Sequence, residues 1–217
     1  MSNRSSGRKS NTRGQETREI ILSSAMDIFS RLGFEAATTR MIARAAGRNI
    51  STVLYHFKDK RDLYDKVFKQ KFDSEFSAMK AWHESVSDPL PVDLEALHQA
   101  LEEGGMILMQ RLIDDPALFR LNVYRKLQPS NADAAIDKAY FEQTRLLAED
   151  VLEKARKAGI LTCSQEEIVH FTKGFSWLGT GFALAHLPKI SGSREHKEET
   201  LKLFQQLIRT YIRKFWV

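Results

Sequence analysis

A chain of 217 residues with 42% hydrophobic and 28% charged residues has an ordinary globular composition, with room for one large domain or two small ones. It lacks the run of about 18 apolar residues that a membrane span needs, its polar, basic start has no secretory h-region, and the lone Cys163 leaves no internal disulfide. The expected compartment is therefore the cytoplasm, and the net charge of +5 is unevenly spread: residues 1–70 carry 14 Lys and Arg against seven Asp and Glu, residues 71–217 carry 19 against 21. A polyanion partner for the first third alone, or simply a well-solvated basic face, accounts for that asymmetry.

In chain order, residues 1–14 are rich in Ser, Arg, Asn and Gly, carry no acid, and are expected to be a disordered basic arm. Such an arm either enters a minor groove or is a passive tail. Ile21, Ala25, Ile28 and Leu32 recur at helical spacing and predict a first helix over about 15–32, ended by Gly33. Two short helices follow, about 39–46 and 50–57. A long one starts at Lys60, with Asp59 as its cap and Asp62 in a capping-box arrangement. After a proline-containing connection at 85–92, a helix is predicted over 93–113. Asp115-Pro116 then opens a shorter helix to about 127. Residues 128–131 break the chain, and a helix from about 132 to 158 ends at Gly159. Ser164 and Glu167 form a capping box for a helix to about 187, residues 188–193 turn, and a last helix fills 194–215. The prediction is all-α, about nine helices, with no strand and no repeat.

Residues 38–64, TTRMIARAAGRNISTVLYHFKDKRDLY, carry the most information. Ala43, Ala45 and Ala46 allow two helices to approach closely, and Gly47 permits the left-handed backbone where the first of them stops. Asn49 can cap the second helix. Arg48, Ile50, Ser51 and Thr52 occupy its first turn, and Tyr55 and His56 lie on or near its outer surface. This is the layout of a helix-turn-helix, whose second helix reaches phosphates and base edges. Thr38, Thr39 and Lys60 stand at helix starts, where backbone N–H groups favour phosphate. Arg40 either forks onto a guanine or contacts phosphate. Ile50 either meets a thymine methyl or packs into the small core, and His56 either meets phosphate or bonds within the chain.

Residues 25–64 resemble the N-terminal domain of the TetR family of bacterial transcriptional regulators. The resemblance rests on Phe29, Gly33-Phe34, Thr38-Thr39, Ile42-Ala43, Ala46-Gly47, Tyr55-His56-Phe57, Lys60 and Leu63. Arg48 departs from the pattern, since an apolar residue commonly follows that glycine. The resemblance implies a homodimer that binds a double-stranded operator through residues 15–62. Residues 63–217 would form a domain for effector binding and dimerisation.

In that second part, Leu94, Leu97, Leu101, Gly105, Leu108 and Leu112 share a stripe. Two adjoining glycines inside a helix cost about 1 kcal/mol each relative to alanine. Gly104 and Gly105 thus mark either room for a ligand or close helix packing. Met109, Phe175 and Thr144 are the candidate walls and polar anchor of an effector site for a small apolar or aromatic molecule. Gly174, Trp177, Gly181 and Leu184 make a second face on their helix, and Phe204 and Tyr211 lie on the last helix. These six are the candidate dimer interface. The six histidines lack metal-ligand spacing, no phosphate-binding glycine loop is present, and no cofactor or catalytic residue is expected. The reading is a cytoplasmic, dimeric, effector-released repressor. Its rivals are an activator or effector-free regulator and, in a different class, an all-helical enzyme or adaptor with a basic N-terminal bundle.

Overall fold

A computed structural model describes residues 6–127, 136, 138, 141–186 and 192–216. Its described residues form nine helices: α1 (Ser6–Ala36), α2 (Thr39–Ala45), α3 (Ile50–His56), α4 (Lys60–Ser87), α5 (Leu94–Asp114), α6 (Pro116–Leu127), α7 (Glu142–Lys157), α8 (Gln165–Ala185) and α9 (Arg194–Phe215). The predicted break at 128–131, the predicted start of the seventh helix and most of the 188–193 turn lie outside the described residues.

Local signals set most helix ends. Gly33 leaves the helical region at φ 73°, so α1 is interrupted where the sequence expected it to stop. At the other end α1 reaches back to Ser6, where an unstructured arm through residue 14 was expected. No proline lies in that stretch, so a helix nucleated by the buried turns around Ile21 can propagate backwards through it. Asp93 accepts from the Ala96 N–H at 2.8 Å to open α5. Ser164 and Glu167 form the expected reciprocal capping box at α8.

The chain divides into two compact units: Met1–Lys71 with Ala117–Asp133, and Phe72–Pro116 with Ala134–Val217. The expected boundary between the two folded domains is at 62/63. The division instead falls within α4, and α6 groups with the first unit. One tie that holds α6 there is the Tyr124 hydroxyl, which donates to the Arg31 carbonyl at 3.0 Å.

The first unit is built on Phe29, which is fully buried, with Tyr64 edge-on at 5.0 Å and Phe68 edge-on to Tyr64 at 4.9 Å. Ile42, Val53, Phe57 and Leu63 bury the inner faces of the short helices and the start of α4 against this centre. The second unit is centred on Leu97, Leu101, Leu152, Phe171 and Ile212. Two polar clasps close it along α5 and α9. Glu102 accepts from Gln205 at 2.7 Å and from both Nε and Nη2 of Arg209 at 2.9 and 2.8 Å, and Glu95 pairs with Arg213. Burial places α7 against α8 through one polar contact as well: the Thr172 hydroxyl donates to Glu149 at 2.8 Å.

Candidate nucleic-acid interface

The turn between α2 and α3 is closed by its own backbone. Gly47 takes φ 61°, its N–H donates to the Arg44 carbonyl at 3.1 Å, and the Arg48 N–H reaches back to the Ala43 carbonyl at 2.9 Å. That pair of bonds is a Schellman ending, and it needs the positive φ that glycine adopts without strain. Thr38 caps α2 by accepting from the Met41 N–H at 3.2 Å. Its hydroxyl proton remains able to donate outward, so capping and phosphate contact are compatible. Asn49 caps α3, where its Oδ1 accepts from the Thr52 N–H at 2.7 Å and from the Thr52 hydroxyl at 2.8 Å. Thr52 thereby spends its single O–H inside the protein. It can meet DNA only through its methyl group or as an acceptor.

The outer surface of this hairpin is exposed and basic. Arg40, Arg44, Arg48 and Lys58 are exposed, and no acid stands between Glu35 and Asp59. Arg48 points outward, with Nη1 on its neighbouring Gly47 carbonyl at 3.2 Å, so the departure from the family pattern adds a surface cation. Ile50 is 39% exposed and Tyr55 84% exposed, and Ser51 is exposed too. Ile50 is therefore a surface residue, while Val53 and Phe57 supply the inward face of α3. Thr39 and His56 are half-buried, with the His56 ring edge-on to Tyr55 at 5.1 Å.

Lys60 is used differently from the expectation. Its ammonium donates to the carbonyls of Phe34, Ala37 and Glu35 at 2.8, 3.2 and 3.4 Å and sits 4.2 Å over the Phe34 ring. An ammonium has three donors, and all three are committed. The geometry makes Lys60 a clamp on the end of α1, where cations are favoured, rather than a phosphate ligand. The sequence reading also missed Leu54, which is 48% exposed one turn beyond Ile50. Continuing the Ile50 stripe by four residues would have found it.

The other candidate residues separate into two groups. Gly105 offers no empty volume: a Cβ there would lie 2.6 Å from Phe175 Cζ and 2.9 Å from Ile208 Cδ1. Close packing is thus its role, because the Phe175 ring fills the space that glycine vacates. Gly104 does the same for Trp82, whose indole N–H donates to the Ala100 carbonyl at 2.9 Å. Met109 is buried and Thr144 half-buried. Three of the expected interface residues face their own core. A Cβ on Gly174 would strike the Tyr211 hydroxyl; Tyr211 stacks on Phe171 at 5.4 Å and donates to its carbonyl at 3.3 Å; Phe204 is buried against Phe182 at 5.2 Å. Burial pushes the Tyr211 phenol pKa up. The α9 face that carries Phe204, Ile208 and Tyr211 is packed within the chain. Trp177, Gly181 and Leu184 remain on the outer face of α8, with Trp177 65% and Leu184 50% exposed, and Leu203 of α9 is 39% exposed.

Two N-capped helices joined by a Schellman turn, with an exposed, acid-free outer surface, make a helix-turn-helix of the class used by DNA-binding regulators. Residues 21–67 match the family of bacterial regulatory proteins called tetR. That match is confined to the segment that holds α2, α3 and the start of α4, and it is this segment that is similar to the family. Among curated relatives it is 34% identical over 108 residues to the HTH-type transcriptional regulator AcrR of Shigella flexneri, covering 49% of this chain and 50% of that one. It is 32% identical over 107 residues to the regulator RutR of Escherichia coli K12, covering 46% and 50%. The chain thus spans about half the length of these two relatives. A longer, weaker match, 24% over 180 residues, joins it to the regulator SrpR of Pseudomonas putida, covering 71% and 84%. The fold is also that of the fatty acid degradation regulator FadR from Bacillus halodurans, with a TM-score of 0.66 at 15% identity over 89% of this chain and 94% of that one.

Proposed function

We propose that the chain is a dimeric transcriptional repressor that binds a near-palindromic duplex operator through α2 and α3. The observation that carries this reading is the outer surface of the hairpin: four exposed cations, two capped helix starts and no acid from 36 to 58. Phosphate contacts by such a surface fix register, and the side chains of α3 read bases. Half-sites would lie about one helical turn apart, roughly 34–36 Å. Selection from random duplex DNA followed by gel shift tests it. Recovery of a palindromic site bound more weakly as salt rises is expected; sequence-indifferent binding or none would exclude it, and would favour a helical enzyme or adaptor.

The release signal in this reading is a small apolar or aromatic effector acting on the second unit. Its support is the aromatic group of Phe171, Phe175 and Tyr211, whose neighbouring rings lie 5.4–6.1 Å apart. Because Phe175 occupies the space over Gly105, a ligand using that space must displace its ring. An effector releases DNA only by binding the DNA-incompetent state more tightly. Titrating the operator complex with small aromatic compounds checks this. Release that Gly105→Ala alters supports the site, release of equal strength in both proteins excludes it, and no release at all favours an effector-free regulator.

A further inference from the structure

The reading helix combines two features that the family match does not assign. The hairpin that carries it exposes four cations, yet the side chains on one flank of the helix are aliphatic. Ile50 is 39% exposed and Leu54 is 48% exposed, and as residues four apart on α3 they are surface neighbours. The core draws on this helix through Val53, with Phe57 at its C-terminal cap, 1% exposed each, and leaves these two at the surface. Neither can donate or accept a hydrogen bond, so neither can read a base edge by the donor–acceptor code. In a major groove the one apolar feature that distinguishes a base pair is the thymine C5-methyl.

We infer that Ile50 and Leu54 form a methyl-reading flank that selects thymine at one or two positions of each operator half-site. This rests on the reading of α2 and α3 as a duplex-binding head, and it names the chemistry that head recognises. Arg40, Arg44, Arg48 and Lys58, in the same hairpin and just after it, are exposed too. A cationic hairpin with an aliphatic stripe matches a phosphate backbone bordering thymine methyls. It does not match a guanine-rich groove, whose O6 and N7 acceptors would face side chains that cannot donate. Ser51, also exposed, and Tyr55 lie on the other flank, where polar contact remains open.

The test uses the full-length protein and the operator obtained by selection. Each thymine of the half-sites is replaced by deoxyuridine, which removes the methyl and keeps the pairing and the hydrogen-bonding edge. One methyl group removed from a buried contact corresponds to about 0.8 kcal/mol, roughly a fourfold loss of affinity per contact. The loss is expected at one or two thymines per half-site, with the others indifferent. Ile50→Ala and Leu54→Ala, both at exposed positions and checked by circular dichroism, should bind the deoxyuridine and thymine versions equally at the affected position. Wild-type binding that ignores every methyl, half-sites without thymine, or discrimination that survives in both variants would overturn the inference while leaving duplex recognition intact. Absence of any sequence-selective duplex binding would instead overturn the reading beneath it.

Discussion

Lys60 shows how a single side chain is reassigned by its surroundings. A lysine at a helix start invites a phosphate, yet three carbonyls from residues 34, 35 and 37 have claimed its donors. Hydrogen bonds to a charged group contribute about 1.5–3 kcal/mol each in favourable cases. The site is partly exposed and solvent screens it, so the total for Lys60→Ala should fall well below that sum, about 1–2 kcal/mol of stability by urea unfolding. Its operator affinity should fall only as far as the fold loosens, with the salt slope unchanged. Arg40→Ala, by contrast, removes an exposed cation from the outer surface and should flatten the slope by about one unit. Salt titrations of both variants decide the matter: a flattened slope for Lys60→Ala would restore it as a phosphate ligand.

The helices of the second unit pack by the pairing of glycine with aromatic rings. Gly104 admits Trp82, and Gly105 admits Phe175. Substituting alanine gains up to about 1 kcal/mol of helix propensity at either position. Against that stands a clash that typically costs about 1–3 kcal/mol. At Gly104 the added methyl would lie 2.7 Å from an indole fixed by its hydrogen bond to Ala100, so the ring cannot yield. At Gly105 it meets the tip of a half-buried Phe175, which has more freedom to turn, and the far end of the buried Ile208. Thermal unfolding should therefore place Gly104→Ala well below wild type and Gly105→Ala nearer to it; the reverse order would mean that Trp82 is the more adaptable ring. On α8, Trp177, Gly181 and Leu184 continue one outward face, with open space over Gly181. If two copies meet there, Trp177→Arg puts a charge into an interface with little to pair with it. Light scattering at micromolar concentration should then find monomers of unchanged helicity, and persistent dimers would move the interface elsewhere.

Across the whole molecule, charge is divided by task. The basic excess lies in residues 1–70, and the second part balances its cations with acids that clasp helices together. Arg209, with Gln205, holds the Glu102 carboxyl below its ordinary value of 4.5, and Arg213 does the same for Glu95. A depressed carboxylate stabilises the fold above its unfolded value, and that stabilisation is lost as pH falls from 4.5 through the lowered values. His98 acts in the same direction from a higher starting point. It is buried, and desolvation, with the Arg213 charge, lowers its pKa from 6.5. Folding favours its neutral form, so stability is full above 6.5 and declines as pH drops toward the lowered value. Unfolding midpoints should accordingly decline in two stages between neutral pH and pH 3. His98→Leu should remove the first stage, and Glu102→Gln should shrink the second while weakening the protein at pH 7. A single stage unaffected by His98→Leu would show that this histidine keeps its ordinary pKa in the fold.

The all-helical class, the helix-turn-helix and most helix ends are legible in the chain, because those depend on neighbours within about five residues. Gly47 closes its turn with bonds to residues 43 and 44, and Ser164 and Glu167 cap each other across three positions. Apolar periodicity likewise revealed that α9 has an inward face, with Phe204, Ile208 and Ile212 buried. Tertiary structure decided what each surface meets. Lys60 finds carbonyls 23 to 26 residues away, Gly105 is filled by a ring 70 residues on, and Gly174 faces Tyr211 rather than a second subunit. Periodicity says that a face is apolar but not whether its partner is the same chain, a ligand or another copy. A glycine's missing side chain reads the same whether the space is empty or taken, and only the position of the distant ring distinguishes the two.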